Sequence, residues 1–102
     1  MNNRYRPFDL AKDIINEAGL DISYLYDDLI FSDHSIFILQ FDDKNPDLLK
    51  LYFNRECNLD NMLEIKNKLY AASEPRGMRM QDEGKFYLTE NLENQEISIH
   101  YE

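Results

Sequence analysis

Between Ile22 and Tyr101 the chain carries a series of strand-like segments whose apolar residues fall on both faces, while only two segments have the apolar spacing of a helix. Two helices side by side cover about 20 Å, whereas six strands at a spacing of ~4.8 Å extend over about 29 Å, so the helices are consumed by one face of such a sheet. The other face must be wetted, sealed by the chain itself, or covered by another molecule. With 102 residues the chain has room for one core, and its 13 aromatic residues (seven Tyr and six Phe) and 43% apolar content exclude a disordered chain.

The first helical segment runs from Pro7 to Ala18, with Ala11, Ile14, Ile15 and Ala18 on one face, Pro7 suited to a first helical position and Gly19 to the end. The second fits Leu59 to Ala72, where Asn58 can cap the free N–H groups and Leu59, Met62, Leu63, Leu69 and Tyr70 form the apolar stripe. From Ile22 to Asp42 β-branched and aromatic residues predict a hairpin that turns at Ser32-Asp33-His34-Ser35, with Ile36 to Phe41 as its second strand. Leu48 to Asn54 follows as a third strand. Beyond the second helix, Met78 to Asp82, Lys85 to Thr89 and Glu96 to Tyr101 read as three short strands, the first two separated by Glu83-Gly84.

The expected fold is therefore one α+β domain over residues 1–102: a mostly antiparallel sheet of five to six strands with two helices on one face, in the order α-β-β-β-α-β-β-β. Period two assigns Phe37, Leu39, Phe41, Leu49, Leu51, Phe53, Met78, Met80, Phe86, Leu88, Ile97 and Ile99 to the helix-covered face. The second face then shows Ile36, Ile38, Leu48, Tyr52 and Tyr87 among Lys50, Arg79, Gln81, Thr89, Ser98 and His100. Burying half of those five apolar side chains against a partner is worth a few kcal/mol at ~25 cal/mol per Å². Ile36, Ile38, Tyr52 and Tyr87 become the expected anchors of a protein-binding face, with Leu48 beside them and Lys50 and Arg79 at the rim. A second copy of the chain, giving a homodimer, is among the expected partners. Against this stands the rule that antiparallel sheets commonly leave one face in water.

Twenty acidic against 11 basic side chains, a net charge of −9, oppose contact with nucleic-acid phosphates and anionic lipid, so neither nucleic acid nor membrane is an expected partner. Arg4, Arg6, Arg76 and Arg79 are too few and too dispersed for a nucleic-acid footprint. A single cysteine, Cys57, cannot form an internal disulfide, and Met1 to Leu10 lacks the apolar stretch of a secretion signal, which makes a reducing cytoplasm the expected compartment.

No group of residues carries a catalytic, metal or cofactor signature. Asp43, Asn45 and Asp47 alternate as calcium ligands do, yet Leu48 stands where such a loop needs glycine and Asn54 where it needs a bidentate glutamate. His34 and His100 lack metal-ligand spacing. Cys57, beside Arg55 and ahead of a helix N-terminus, has the setting of a lowered pKa but no histidine or resolving cysteine nearby, and reads as a packed spectator thiol. Asp27-Asp28 and the trio Glu90, Glu93 and Glu96 read as solvated charge rather than an acid–base pair.

The pattern predicts a non-enzymatic protein-binding module of chaperone-like or adaptor type. The order of an opening helix, three strands, a helix and further strands resembles that of small acidic secretion chaperones and related binding domains, which add a C-terminal helix that this chain lacks. Two other readings remain open: an immunity or inhibitor protein that presents Asp42, Asp43, Asp47, Asp82 and Glu83 to a basic toxin site, and a small enzyme with a pocket between the second helix and the sheet, using His100 or Cys57.

Overall fold

The computed structural model describes residues 6–102; Arg4 and the start of the Met1 to Leu10 segment lie outside the described residues. Two helices, α1 (Phe8–Glu17) and α2 (Leu59–Ser73), lie on one face of a six-stranded sheet made of β1 (Ile22–Tyr26), β2 (Leu29–Ser32), β3 (Phe37–Phe41), β4 (Leu48–Asn54), β5 (Arg79–Asn91) and β6 (Glu96–Tyr101). The strands follow one another in space as they do in sequence. Every neighbouring pair is antiparallel except β4 and β5, which are parallel and joined through α2. A parallel pair needs such a crossover, and the crossover lays α2 on the sheet.

The α+β class, the single mostly antiparallel sheet and the two helices on one face match the sequence expectation; the order of elements does not. It is α-β-β-β-β-α-β-β. The first difference lies at Asp27-Asp28, a two-residue turn that divides the expected first strand, with Tyr26 opposite Leu29 and Asp27 at φ 54°. Aspartate tolerates this left-handed conformation better than most residues. Ser32-Asp33-His34-Ser35 does reverse the chain, but between β2 and β3, as a short 3-10 turn over Asp33–Ser35.

The second difference lies at Glu83-Gly84, which is not a turn. Leu51 faces Asp82 and Tyr52 faces Gly84, so Glu83 is an extra residue on β5, and the expected two strands are one strand of 13 residues with a bulge. One extra residue reverses the alternation beyond it. Met80 packs with the helix-side core, whereas Phe86 and Leu88, and Ile99 opposite Leu88, lie on the far face.

The helix-side core joins Ala11, Ile14 and Ile15 of α1 and Leu69 and Ala72 of α2 to the inward residues of β3 and β4, with Phe37 against Phe53 edge to face at 6.3 Å. Asn58 caps α2 by accepting from the Asn61 N–H at 2.8 Å. On the far face Leu29, Phe31, Ile38 and Phe86 form a second core that needs no helix. In a flat sheet β1 and β6 would stand about 24 Å apart, five strand spacings, yet residues of both line one groove. The sheet is curled across its far face, which makes that face concave and brings its two ends toward each other.

Candidate functional site: the concave face

The floor of the concave face is sealed. Ile38 and Phe86 are fully buried, and Tyr52, Leu88 and Ile99 pack around them. Tyr52 packs against Tyr101 in a tilted arrangement with ring centroids 4.6 Å apart, and its hydroxyl donates to Gln40 Oε1 at 3.3 Å, while Gln40 Nε2 donates to Asp28 Oδ2 at 2.9 Å. Desolvation, reinforced by Glu83, Tyr101 and Asp28, pushes the Tyr52 phenol up; desolvation and then Asp28 do the same to Tyr101. Both hydroxyls are held neutral.

Toward the outer ends of the sheet the same face opens into a groove of about 780 Å³. One wall is Ser23, Tyr24 and Tyr26 of β1 with Phe31 of β2; the other is Leu88 of β5 with Glu96, Ile97 and Ile99 of β6. Tyr24 and Phe31, opposite one another in the register, sit with ring centroids 5.9 Å apart. The rim is exposed: Tyr24, Tyr26 and Ile97 keep 58%, 60% and 66% of their surface in water. Ser35 and Gln95, which complete the lining, are both in the left-handed backbone region, at φ 52° and 57°.

Of the seven residues expected to make a binding face, Ile38, Leu48, Lys50, Tyr52 and Arg79 share the concave side by register, whereas Ile36 and Tyr87 do not. Ile38 and Leu48 are buried, and Ile36 packs with the helix-side core. Tyr87 lies beyond the bulge and points to the convex side, where it stacks on His100 at 4.7 Å beneath the Arg55 guanidinium at 4.0 Å. Lys50 is spent on Asp42 at 3.7 Å, and Arg79 on Asp47 at 2.7 Å. Of the five apolar side chains expected to stay uncovered, Ile38 and Leu48 are buried and Ile36, Tyr52 and Tyr87 are partly buried.

Tyr24, Tyr26, Ile97 and Tyr101 are exposed on the concave side and lie outside the set expected from the sequence. Their signal was the register of the hairpins, which depended on the turn at Asp27-Asp28 and the bulge at Glu83.

The acidic clusters are mostly tied down by bases. Arg6 grips Asp43 through Nε and Nη2 at 3.0 and 3.1 Å, Lys66 holds Asp82 at 3.0 Å, and Arg76 holds Glu17 at 2.7 Å. Asp42 accepts from the backbone N–H groups of Lys44 and Asn45, which closes the acidic turn and lowers its pKa. All five acids of the set expected to face a basic toxin site are engaged within the chain, Asp42, Asp43, Asp47 and Asp82 by bases and Glu83 by the Gln81 side-chain amide at 3.2 Å.

No known family model, curated protein or solved structure matches this chain.

Cys57 and His100, the two candidate catalytic groups, lie outside the hollow beside α2. Cys57 is half-buried, and desolvation pushes its thiol up rather than toward thiolate. The hollow of about 490 Å³ between α2 and β5 is lined by Tyr70, Met78 and Met80 among others and includes neither Cys57 nor His100. His34 stands 3.7 Å from Asp33, and His100 shares a 2.8 Å hydrogen bond with Thr89. Among the described residues no three His, Cys, Asp or Glu side chains are grouped to hold a metal ion, and no helix is long and apolar enough to cross a membrane.

Proposed function

We propose that this chain is a non-enzymatic protein-binding module that receives its partner on the concave face of the sheet. The observation that carries the reading is the contrast within that face: a dry, fully packed floor continuous with a groove whose aromatic and aliphatic rim is more than half exposed. Tyrosines with a rigid apolar body and a polar tip are favoured in such positions because they lose little side-chain entropy when covered. A single cysteine, which cannot form an internal disulfide, supports a reducing compartment.

The test is site-specific photo-crosslinking in cells that express the chain, with benzoylphenylalanine at Tyr26 or at Ile97 and, as control, at Lys12 on the exposed side of α1. Protein adducts at Tyr26 and Ile97 but not at Lys12 are expected. An adduct of twice the chain mass identifies the partner as a second copy. Equal labelling at all three positions, or none in the groove, contradicts the proposal.

A further inference from the structure

Both walls of the groove come from stretches of sequence that contain no lysine or arginine. Residues 13–43, which supply β1, β2 and β3, and residues 86–102, which supply the outer half of β5 and all of β6, together hold twelve of the chain's twenty acids and none of its eleven bases. Bases come near only through the fold: Arg6 reaches Asp27 at 3.4 Å, Lys50 and Arg79 on the concave side are paired with Asp42 and Asp47, and Arg55 lies on the convex side. Glu96 lines the groove, and Glu90, opposite Ile97 in the register, shares its face. An apolar groove flanked by the carboxylates of Glu90 and Glu96, with no lysine or arginine in its lining, selects a guest that is apolar and cationic at once.

The two strands that border the groove are also the two ends of the sheet, and they differ as edges. β1 is blunted by an irregularity between Ile22 and Tyr24, a device that turns an edge away from further pairing. β6 pairs with β5 in unbroken register from Glu96 to Tyr101, with no bulge, proline or lysine to guard its outer side. Its alternate residues Ile97, Ile99 and Tyr101 face the groove side.

We infer that the groove takes an extended cationic segment of another protein, paired as an added strand along the outer edge of β6, with its alternate apolar side chains packed between Ile97, Ile99 and Leu88 on one wall and Tyr24 and Tyr26 on the other. This rests on the protein-binding reading above and names the partner's chemistry. Main-chain hydrogen bonds to β6 supply affinity, and the side chains that point into the groove supply selectivity. A second copy of this chain is disfavoured in that position, because edge pairing of two β6 strands sets acid-rich, base-free stretches against each other.

The experiment uses blocked peptides of alternating Lys and Val, or of alternating Glu and Val, long enough to span the six residues of β6. Each is titrated into the full chain and followed by calorimetry and by amide NMR shifts. The Lys–Val peptide is expected to shift amides of β6 and β1, to bind at least about tenfold tighter than the Glu–Val peptide, and to weaken as salt is added. The double variant Glu90→Lys, Glu96→Lys is expected to reverse the preference, and N-methylation of alternate peptide amides to abolish binding through loss of the edge hydrogen bonds. Equal affinity for both peptides, shifts confined to α1 and α2, or undiminished binding of the methylated peptide would overturn the inference. If no peptide binds while Tyr26 and Ile97 still crosslink to protein, this inference fails and the protein-binding reading stands; if the crosslinks are also absent, both fail.

Discussion

Gly84 stands opposite Tyr52 across the parallel pair of β4 and β5, one residue out of step with Asp82, which stands opposite Leu51. The extra residue, Glu83, decides which side of the sheet the rest of the chain serves. Without it Phe86, Leu88 and Ile99 would join the helix-covered face, and the concave face would lose its second core.

The bulge is thus a specific point of weakness. A Cβ on Gly84 would lie 3.3 Å from the Glu102 carbonyl oxygen at φ 125°, a backbone conformation that L side chains rarely adopt. Gly84→Ala should cost about 1–3 kcal/mol in urea unfolding. Deletion of Glu83 should do more, because it inverts every side chain beyond it; the expected result is loss of a cooperative transition.

Floor and rim of the concave face should respond differently to mutation. Phe86→Ala opens a cavity in a fully buried site and should cost about 3–5 kcal/mol, and Ile38→Asp should prevent folding. Tyr26→Ala and Ile97→Asp remove exposed surface and should change stability by no more than ~1 kcal/mol. Unfolding curves read these costs, and crosslinking or peptide titration then reads binding, which only the rim variants test cleanly.

Two of the seven tyrosines should ionise late. Because burial penalises the phenolate at Tyr52 and Tyr101, the folded state keeps those protons above the ordinary phenol pKa of about 10. Their contribution to stability is complete below that pH and is lost as pH rises through the raised folded values. Absorbance titration at alkaline pH should show two phenols that ionise above the ordinary phenol pKa, and Tyr101→Phe should remove one of them.

At acid pH the opposite sign applies. Arg76 holds the Glu17 carboxyl below its usual value, the Lys44 N–H that of Asp42, and Arg79 that of Asp47. Depressed folded pKa values give stability that is present above the unfolded carboxylate range and is lost as pH falls through the folded values. Stability should therefore drop below about pH 4, and Arg79→Ala should shallow that drop in unfolding measured across acid pH.

Much of the architecture was legible in the residues. Ala11, Ile14 and Ile15 mark the inward face of α1, Asn58 the start of α2, and the alternation in Phe37–Phe41 and Leu48–Asn54 the two central strands, because each pattern is long, regular and capped by residues with a local reason to be there. The site was not legible. Its composition depends on two single-residue events, a left-handed Asp27 that makes a hairpin turn without glycine and an extra Glu83 beside a glycine that looks like a turn. Each reassigns whole strands while leaving the local pattern intact. The base-free stretches at residues 13–43 and 86–102 can be seen in the sequence, but nothing before the fold places them on either side of one groove.

Hydrogen exchange of the isolated chain tests the central claim most directly: the floor of the concave face is closed and its edges are open. Amides of β3 and β4, paired on both sides, should be the slowest, and those of the outer edge of β6 should exchange freely at low and high protein concentration, becoming protected once a partner segment is added. Amides along β6 that are as protected as those of β3 in the chain alone would contradict the account, because the edge would then already be covered.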